Sequence, residues 1–262
     1  MRASNLDHSL GRPRSVLITG AAGGIGASLV AELQSAGWRV IGSDHPGVAP
    51  AEAVERQCAA WIPIDLQQLP KQPTGQKELA EAVGKASEHF PLQAVVHNAA
   101  VQRLAPFTNL SDEDWHTTLA INVLAPVVIS RALLPLLEAH QGAIVHIGSI
   151  HSQLTKPDFT AYATSKAALA GLTRAMAVEL GARVRVNAVD PAAIKTPMLE
   201  AGFAADPEQL AQLGHCHPTG AIGCAADVAR AVLFLIDPAN SFVNGCILPL
   251  GGGIHNRLHD PK

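Results

Sequence analysis

The sequence predicts an α/β fold, a single doubly wound domain whose seven-stranded parallel sheet is flanked by helices. Three observations carry this. Short apolar runs of strand length alternate with stretches of helical periodicity, the pattern of parallel strands joined by right-handed crossovers. A glycine-rich turn stands between the first apolar run and the first helix. The 262 residues, 48% hydrophobic and only 16% charged, suffice for one large core and leave little room for long disorder.

Residues 1–14 are polar, with Asp7, three arginines and no apolar run. They are expected to form a flexible extension and not a secretory signal, leaving 15–262 as the folded domain. SVLIT (15–19) is an apolar run ending at glycine, which suits a buried strand. Residues 25–36 form a helix stopped by Gly37. RVIGS (39–43) is a second strand, and WIPID (61–65) a third, weakened by Pro63. Residues 77–88 are helical in pattern, and AVVHN (94–98) is strand four. Residues 112–139 hold two helical stretches, with breaks expected near Pro126 and Pro135. AIVHIG (143–148) is strand five. The helix over 161–180 places Leu169, Leu172, Met176 and Leu180 on one face. RVRVNAV (183–189) is strand six, 226–236 a helix, and 246–250 the last strand. Residues 197–220 have the weakest pattern and are expected to form a mobile insertion.

Composition excludes several classes. Nineteen basic against 22 acidic residues give a net charge of −3, with no basic excess to grip a phosphate backbone, so no nucleic-acid partner is expected. No uninterrupted apolar run reaches the ~18 residues of a membrane span, and no membrane partner is expected. The four cysteines (Cys58, Cys216, Cys224, Cys246) are scattered and contain no CxxC. They fit a reducing, cytoplasmic compartment better than a disulfide framework.

The chemistry-bearing residues fall at strand ends. TGAAGGIG (19–26) lies between strand one and the first helix. Glycines there let the chain turn tightly and let backbone N–H groups approach a pyrophosphate, with the positive helix end beneath it. Asp44 ends strand two at the spacing expected of a ribose-binding acid. Its carboxylate would accept from both ribose hydroxyls and repel a 2′-phosphate, and no Arg or Lys stands nearby, so NAD is favoured over NADP. Tyr162 is the only tyrosine, and Lys166 follows one turn later on the same helical face. A phenol titrates near 10, and a neighbouring ammonium is expected to lower that by about 1–3 pH units, which fits Tyr162 for proton transfer. Ser149, just past strand five, can hydrogen-bond a substrate oxygen beside the phenol.

From about Ser15 to Gly253 the sequence resembles the short-chain dehydrogenase/reductase family, with its motifs in the family's order. The resemblance implies a Rossmann-like domain that binds NAD through Gly20, Gly24, Ile25 and Gly26. It places Asp65 and Leu66 at the adenine, and Asn98 and Ala99 in the motif after strand four. Asn122, Ser149, Tyr162 and Lys166 correspond to the family's catalytic tetrad. RVNAVDP (185–191), ending in Pro191, resembles the strand-six motif, and Ile194, Lys195 and Thr196 resemble the residues that hold the nicotinamide amide. Ala100 and Ala192 stand where the family carries glycine, and a positive φ at either would be strained.

The implied reaction is hydride transfer between NAD(H) and the alcohol or carbonyl of a small molecule. A non-catalytic NAD-binding sensor or scaffold, or an epimerase or lyase of the same family, are the alternatives. The complete tetrad argues against the sensor. The family also implies a homo-oligomer, a tetramer or dimer, through the helices over 112–139 and 161–180. Gln102, His151 and Phe203 are candidate substrate contacts. The segment 197–220 is the expected substrate lid. His215, Cys216 and His217, with Cys224, match no usual ligand spacing, and no metal is expected.

Overall fold

The computed structural model describes residues 14–203 and 206–258. The extension expected over 1–14 therefore lies outside the described residues, except for Arg14, which opens the first strand. In chain order the elements are β1 (Arg14–Thr19), α1 (Gly24–Ser35), β2 (Trp38–Ser43), α2 (Glu52–Gln57), β3 (Cys58–Trp61), α3 (Pro73–Ala86), β4 (Leu92–His97) and α4 (Asp112–Leu119). There follow α5 (Ala125–Glu138), β5 (Ala143–Ile147), α6 (Thr160–Leu180), β6 (Arg185–Pro191), β7 (Ile194–Lys195), α7 (Pro197–Gly202), α8 (Pro207–Cys216), β8 (Gly223–Cys224), α9 (Ala225–Ile236) and β9 (Ile247–Leu250).

Seven strands make one parallel sheet in the order β3-β2-β1-β4-β5-β6-β9, and β7 pairs with β8 in a separate two-stranded ribbon. Strand order reverses between β1 and β4, which opens a crevice at their carboxyl ends. Side chains alternate between the two faces with period two. Val16 and Ile18 of β1 thus join Leu29 and Leu33 of α1 and Val232 and Leu235 of α9 in one core layer. Leu17, between them, joins Val95, Ile129, Leu133 and Ile144 in the other. Strands buried on both faces read as continuous apolar runs, which is why they were visible in the sequence.

Several element boundaries differ from expectation. The third strand is Cys58–Trp61, upstream of the expected 61–65. Residues beyond it still follow β2, since Ile62 and Ile64 donate to Gly42 and Asp44, but Pro63 has no N–H to continue the ladder. The break in the long helical stretch lies at neither proline. It is a π turn over Ala120–Leu124, between α4 and α5. Pro126 sits in the first turn of α5, where no N–H is needed, and α5 runs through Pro135. The buried side of α6 is Ser165, Lys166, Leu169, Thr173, Ala177 and Leu180, while Leu172 and Met176 lie half-buried at its margin. The described part of 197–220 holds two helices, α7 and α8, with Asp206 capping α8 through the Gln209 N–H. The stretch Asp112–Glu138 is long and apolar enough to cross a membrane by composition. In this fold one side of α5 (Val128, Ile129, Leu133, Leu137) is buried in the core layer that holds β4 and β5.

Candidate active site

The crevice at the carboxyl ends of the strands collects the predicted residues. β1 ends in the glycine loop, which turns into α1. Gly20 takes φ +66°, and a Cβ at Gly26 would sit 2.0 Å from the Gly20 carbonyl oxygen, so the turn closes only on glycine. Helix α1 starts with exposed Gly24, has no side-chain cap and carries no acid in its first turn, so its N–H groups face outward with a partial positive charge. Gly26 is buried and Ile25 packs half-buried on the core.

Asn98 braces this loop. Its side-chain amide donates to the Thr19 and Gly20 carbonyls at 3.1 and 2.9 Å, and the Asn98 and Ala99 N–H groups donate to the Thr19 hydroxyl. Both residues thus act on the loop's shape. The half-buried Asp44 carboxylate accepts the Ala22 N–H at 3.0 Å and the His45 N–H at 2.8 Å, which holds it beside the loop with lone pairs to spare. The Asp65 carboxylate accepts from the Gln67 and Gln68 N–H groups, and Leu66 packs on the core. Across the crevice, a Cβ at Gly24 would lie 3.1 Å from the Thr196 Cβ, which places the segment after β6 against the helix start. Pro191 closes β6, Ile194 is buried in β7, and the Thr196 hydroxyl accepts the Leu199 N–H. A turn that only glycine closes, an uncapped helix N-terminus and a fixed carboxylate at the end of β2 fit a dinucleotide.

The second cluster comes from β5, β6 and α6. Lys166 is buried, donates to the Ile147 carbonyl at 2.8 Å, and lies 5.5 Å from the centre of the Tyr162 ring. Asn122, in the π turn, donates to the Val101 carbonyl and the Ser165 hydroxyl and accepts the Val101 N–H. It ties the loop after β4 to α6. Ser149 follows β5; its N–H donates to Asp190 at 3.2 Å and its hydroxyl accepts the His151 N–H at 3.2 Å. All four predicted tetrad residues are thus gathered around one end of α6.

One electrostatic expectation is overturned. The Tyr162 phenol is pushed up to about 12, not down. Burial is the main cause, Asp190 adds to it, and a hydrogen bond with Ser149 opposes it. Desolvation, which disfavours the phenolate, is the largest contribution. The same burial pushes Lys166 down to about 8, with Asp190 opposing.

His151 stacks on Phe159 at 4.2 Å between ring centres and meets the edge of Tyr162 at 5.7 Å. Burial and Lys156 push its imidazole down to about 4, so it faces the phenol as a neutral ring. Gln102 is half-buried after β4, and Phe203 is half-buried at the end of α7. Sequence reasoning missed Phe159, Ser152 and Asp190. Asp190 had a signal, being the one acid in that strand, at the end of its apolar run. Phe159 and Ser152 had none. Neither Ala100 nor Ala192 adopts a positive φ, so the alanines in these two positions carry no backbone strain. Among the described residues no group of three or more His, Cys, Asp or Glu is placed to hold a metal ion.

Comparison with known proteins gives a consistent picture. The family described as enoyl-(acyl carrier protein) reductase matches residues 20–255. L-xylulose reductase from Bos taurus is 32% identical, over 92% of this chain and 96% of its own. The solved structure of an oxidoreductase of the short chain dehydrogenase/reductase family from Burkholderia thailandensis is 32% identical, with a TM-score of 0.83 over 94% of both chains. A putative 2-deoxy-D-gluconate 3-dehydrogenase from Agrobacterium tumefaciens, solved with bound NADP, is 28% identical, with a TM-score of 0.81 over 93% of this chain and 97% of its own.

Proposed function

The chain belongs to the short-chain dehydrogenase/reductase family, and we propose that it moves hydride between NAD(H) and the alcohol or carbonyl group of a small molecule, with Tyr162 as general acid/base. The observation that carries this reading is the convergence of Ser149, Tyr162 and Lys166 at the crevice whose other wall is the glycine loop. When bound, the nicotinamide supplies the hydride chemistry.

The chain's own residues handle orientation and the proton. The phenol of Tyr162 gives its proton to the carbonyl oxygen in reduction and takes it from the hydroxyl in oxidation. Ser149 donates a hydrogen bond to the same oxygen and stabilises its developing charge. Lys166 keeps a positive charge beside the ring as the phenolate forms. Asn122 fixes α6 against the loop after β4.

Asp44 supports NAD. A carboxylate held at the end of β2, with no Arg or Lys in the glycine loop or just after Asp44 in the sequence, repels a 2′-phosphate and accepts from ribose hydroxyls. The NADP-bound relative makes this the finer point to test. The names of the sugar-directed relatives support a polyol, ketose or sugar acid as substrate. The free cysteines suit the cytoplasm. Exposed Leu124 and Val178, on the π turn and α6, suit a homo-oligomer.

The test is a screen of sugars, polyols and hydroxy acids with NAD and NADP in parallel, read by absorbance of the reduced nicotinamide. Turnover at least ~10-fold more efficient with NAD, and relaxed toward NADP in Asp44→Ala, is the expected result, since removing one charge repulsion is worth about 1–3 kcal/mol. Preference for NADP by the parent overturns the cofactor assignment.

A further inference from the structure

We propose that Asp190 is a positioning residue of the proton-transfer step: its buried carboxylate anchors Ser149 and sets a negative charge against the Tyr162–Lys166 pair. This rests on the reading of Tyr162 as the acid/base group.

Asp190 ends the apolar run of β6 and is 2% exposed. A carboxylate is placed this deep only where hydrogen bonds and charge compensate for lost water. Here one oxygen accepts the Ser149 N–H at 3.2 Å and the other accepts the Ser152 hydroxyl. Both donors belong to the turn that leaves β5 and carries the substrate-facing serine. The room for the carboxylate comes from the residue before that serine. A Cβ at position 148 would lie 1.8 Å from the Asp190 oxygen, so the Asp190 carboxylate requires glycine there. The anchor therefore determines where Ser149 stands relative to the phenol.

The charged and titratable groups facing Asp190 come from three elements. Helix α6 presents Lys166 and Tyr162, and the turn after β9 presents His255. From β9 its register partner is Pro249, which has neither charge nor N–H. The turn that holds Ser149 and Ser152 carries His151, whose ring lies on Phe159. Burial pushes the Asp190 carboxyl up from its usual range, and the hydrogen bonds from Ser152 and Ser149, with Lys166 and His255, oppose that and favour the carboxylate; the carboxylate in turn favours the Lys166 ammonium and disfavours the Tyr162 phenolate. Asp190 thus acts on the proton through Tyr162, without touching substrate.

The single tyrosine makes the proposal measurable without any substrate. Tyrosinate absorbance after a rapid alkaline pH jump reports Tyr162 alone, with Tyr162→Phe as blank. Asp190→Asn keeps the side chain's size and an acceptor for the Ser149 N–H but removes the charge; Asp190→Ser, smaller and also neutral, serves where the amide fails to fold. Either should lower the Tyr162 midpoint by about 1 pH unit, a change that a purely structural residue would not cause. In alcohol oxidation the acid limb of the kcat profile should move the same way, and Asp190→Ser, which loses the Ser149 anchor, should lose more kcat than Asp190→Asn while the KM for NAD stays put. A Tyr162 midpoint that is unchanged or raised in the neutral variants overturns the proposal. Absence of turnover in the parent counts against the function reading alone, because the titration is read without it.

Discussion

At the scale of single residues, burial outweighs the local charge pair. Spacing alone puts an ammonium one turn from the phenol and suggests an acidified tyrosine. In the fold Lys166 is buried and Tyr162 half-buried, and desolvation raises the phenol to about 12 and lowers the ammonium to about 8. Tyr162 is thus protonated at neutral pH, the form needed to reduce a carbonyl. Tyr162→Phe removes one hydroxyl and no packing. It should leave the NAD dissociation constant within about 3-fold while lowering kcat by at least ~100-fold, the usual worth of a general acid. Isothermal titration and initial rates check the two halves separately, and unchanged kcat would remove Tyr162 from the mechanism.

At the scale of elements, the π turn over Ala120–Leu124 matters most. Such a turn inserts one residue into a helix and frequently sits at functional sites. It lets Asn122 reach Val101 on one side and Ser165 on the other, and Ser165 donates to the Tyr162 carbonyl. Proline does not mark its place, because a helix tolerates proline in its first turn and a π turn has no compositional mark. Asn122→Ala would leave the half-buried Val101 backbone groups without their side-chain partner. A loss of about 1–3 kcal/mol is expected from the denaturation midpoint in urea, with a fall in kcat as α6 loosens. Equal stability would show that water replaces the amide.

At the scale of the whole molecule, two histidines inside the sheet tie stability to pH. His97 on β4 and His146 on β5 pair in register, stack at 5.2 Å and hydrogen-bond Ser130 and Thr173. Both are fully buried. Burial pushes His146 down to about 3 and His97 well below 6.5. The sign follows from proton uptake. Between pH 6.5 and about 3 the unfolded chain protonates these rings and the folded chain does not, so stability is complete above 6.5 and falls as pH drops. From pH 7 to 5 the loss should be on the order of 2 kcal/mol for His146, and His97 acts in the same direction. Urea titrations at the two pH values measure it, and His146→Asn should show a shallower drop. A parent curve flat over that range would mean the rings are already charged in the fold.

The sequence by itself determined the order of strands and helices, the glycine turn, the acid after β2 and the spacing of Tyr162 and Lys166 on one helical face. These are local features: strand runs buried on both faces, turns that need glycine, and residue types at fixed spacing. The tertiary structure decided what depends on neighbours distant in the chain. It moved β3 upstream of Pro63, turned Leu172 and Met176 to the margin of α6 and formed α7 and α8 where periodicity was weakest. It also raised the Tyr162 phenol that spacing had predicted would fall, because desolvation is a property of everything packed around a group. Asp190 and Gly148 are 42 residues apart in sequence yet share one space, and only the pairing of β5 with β6 brings them together.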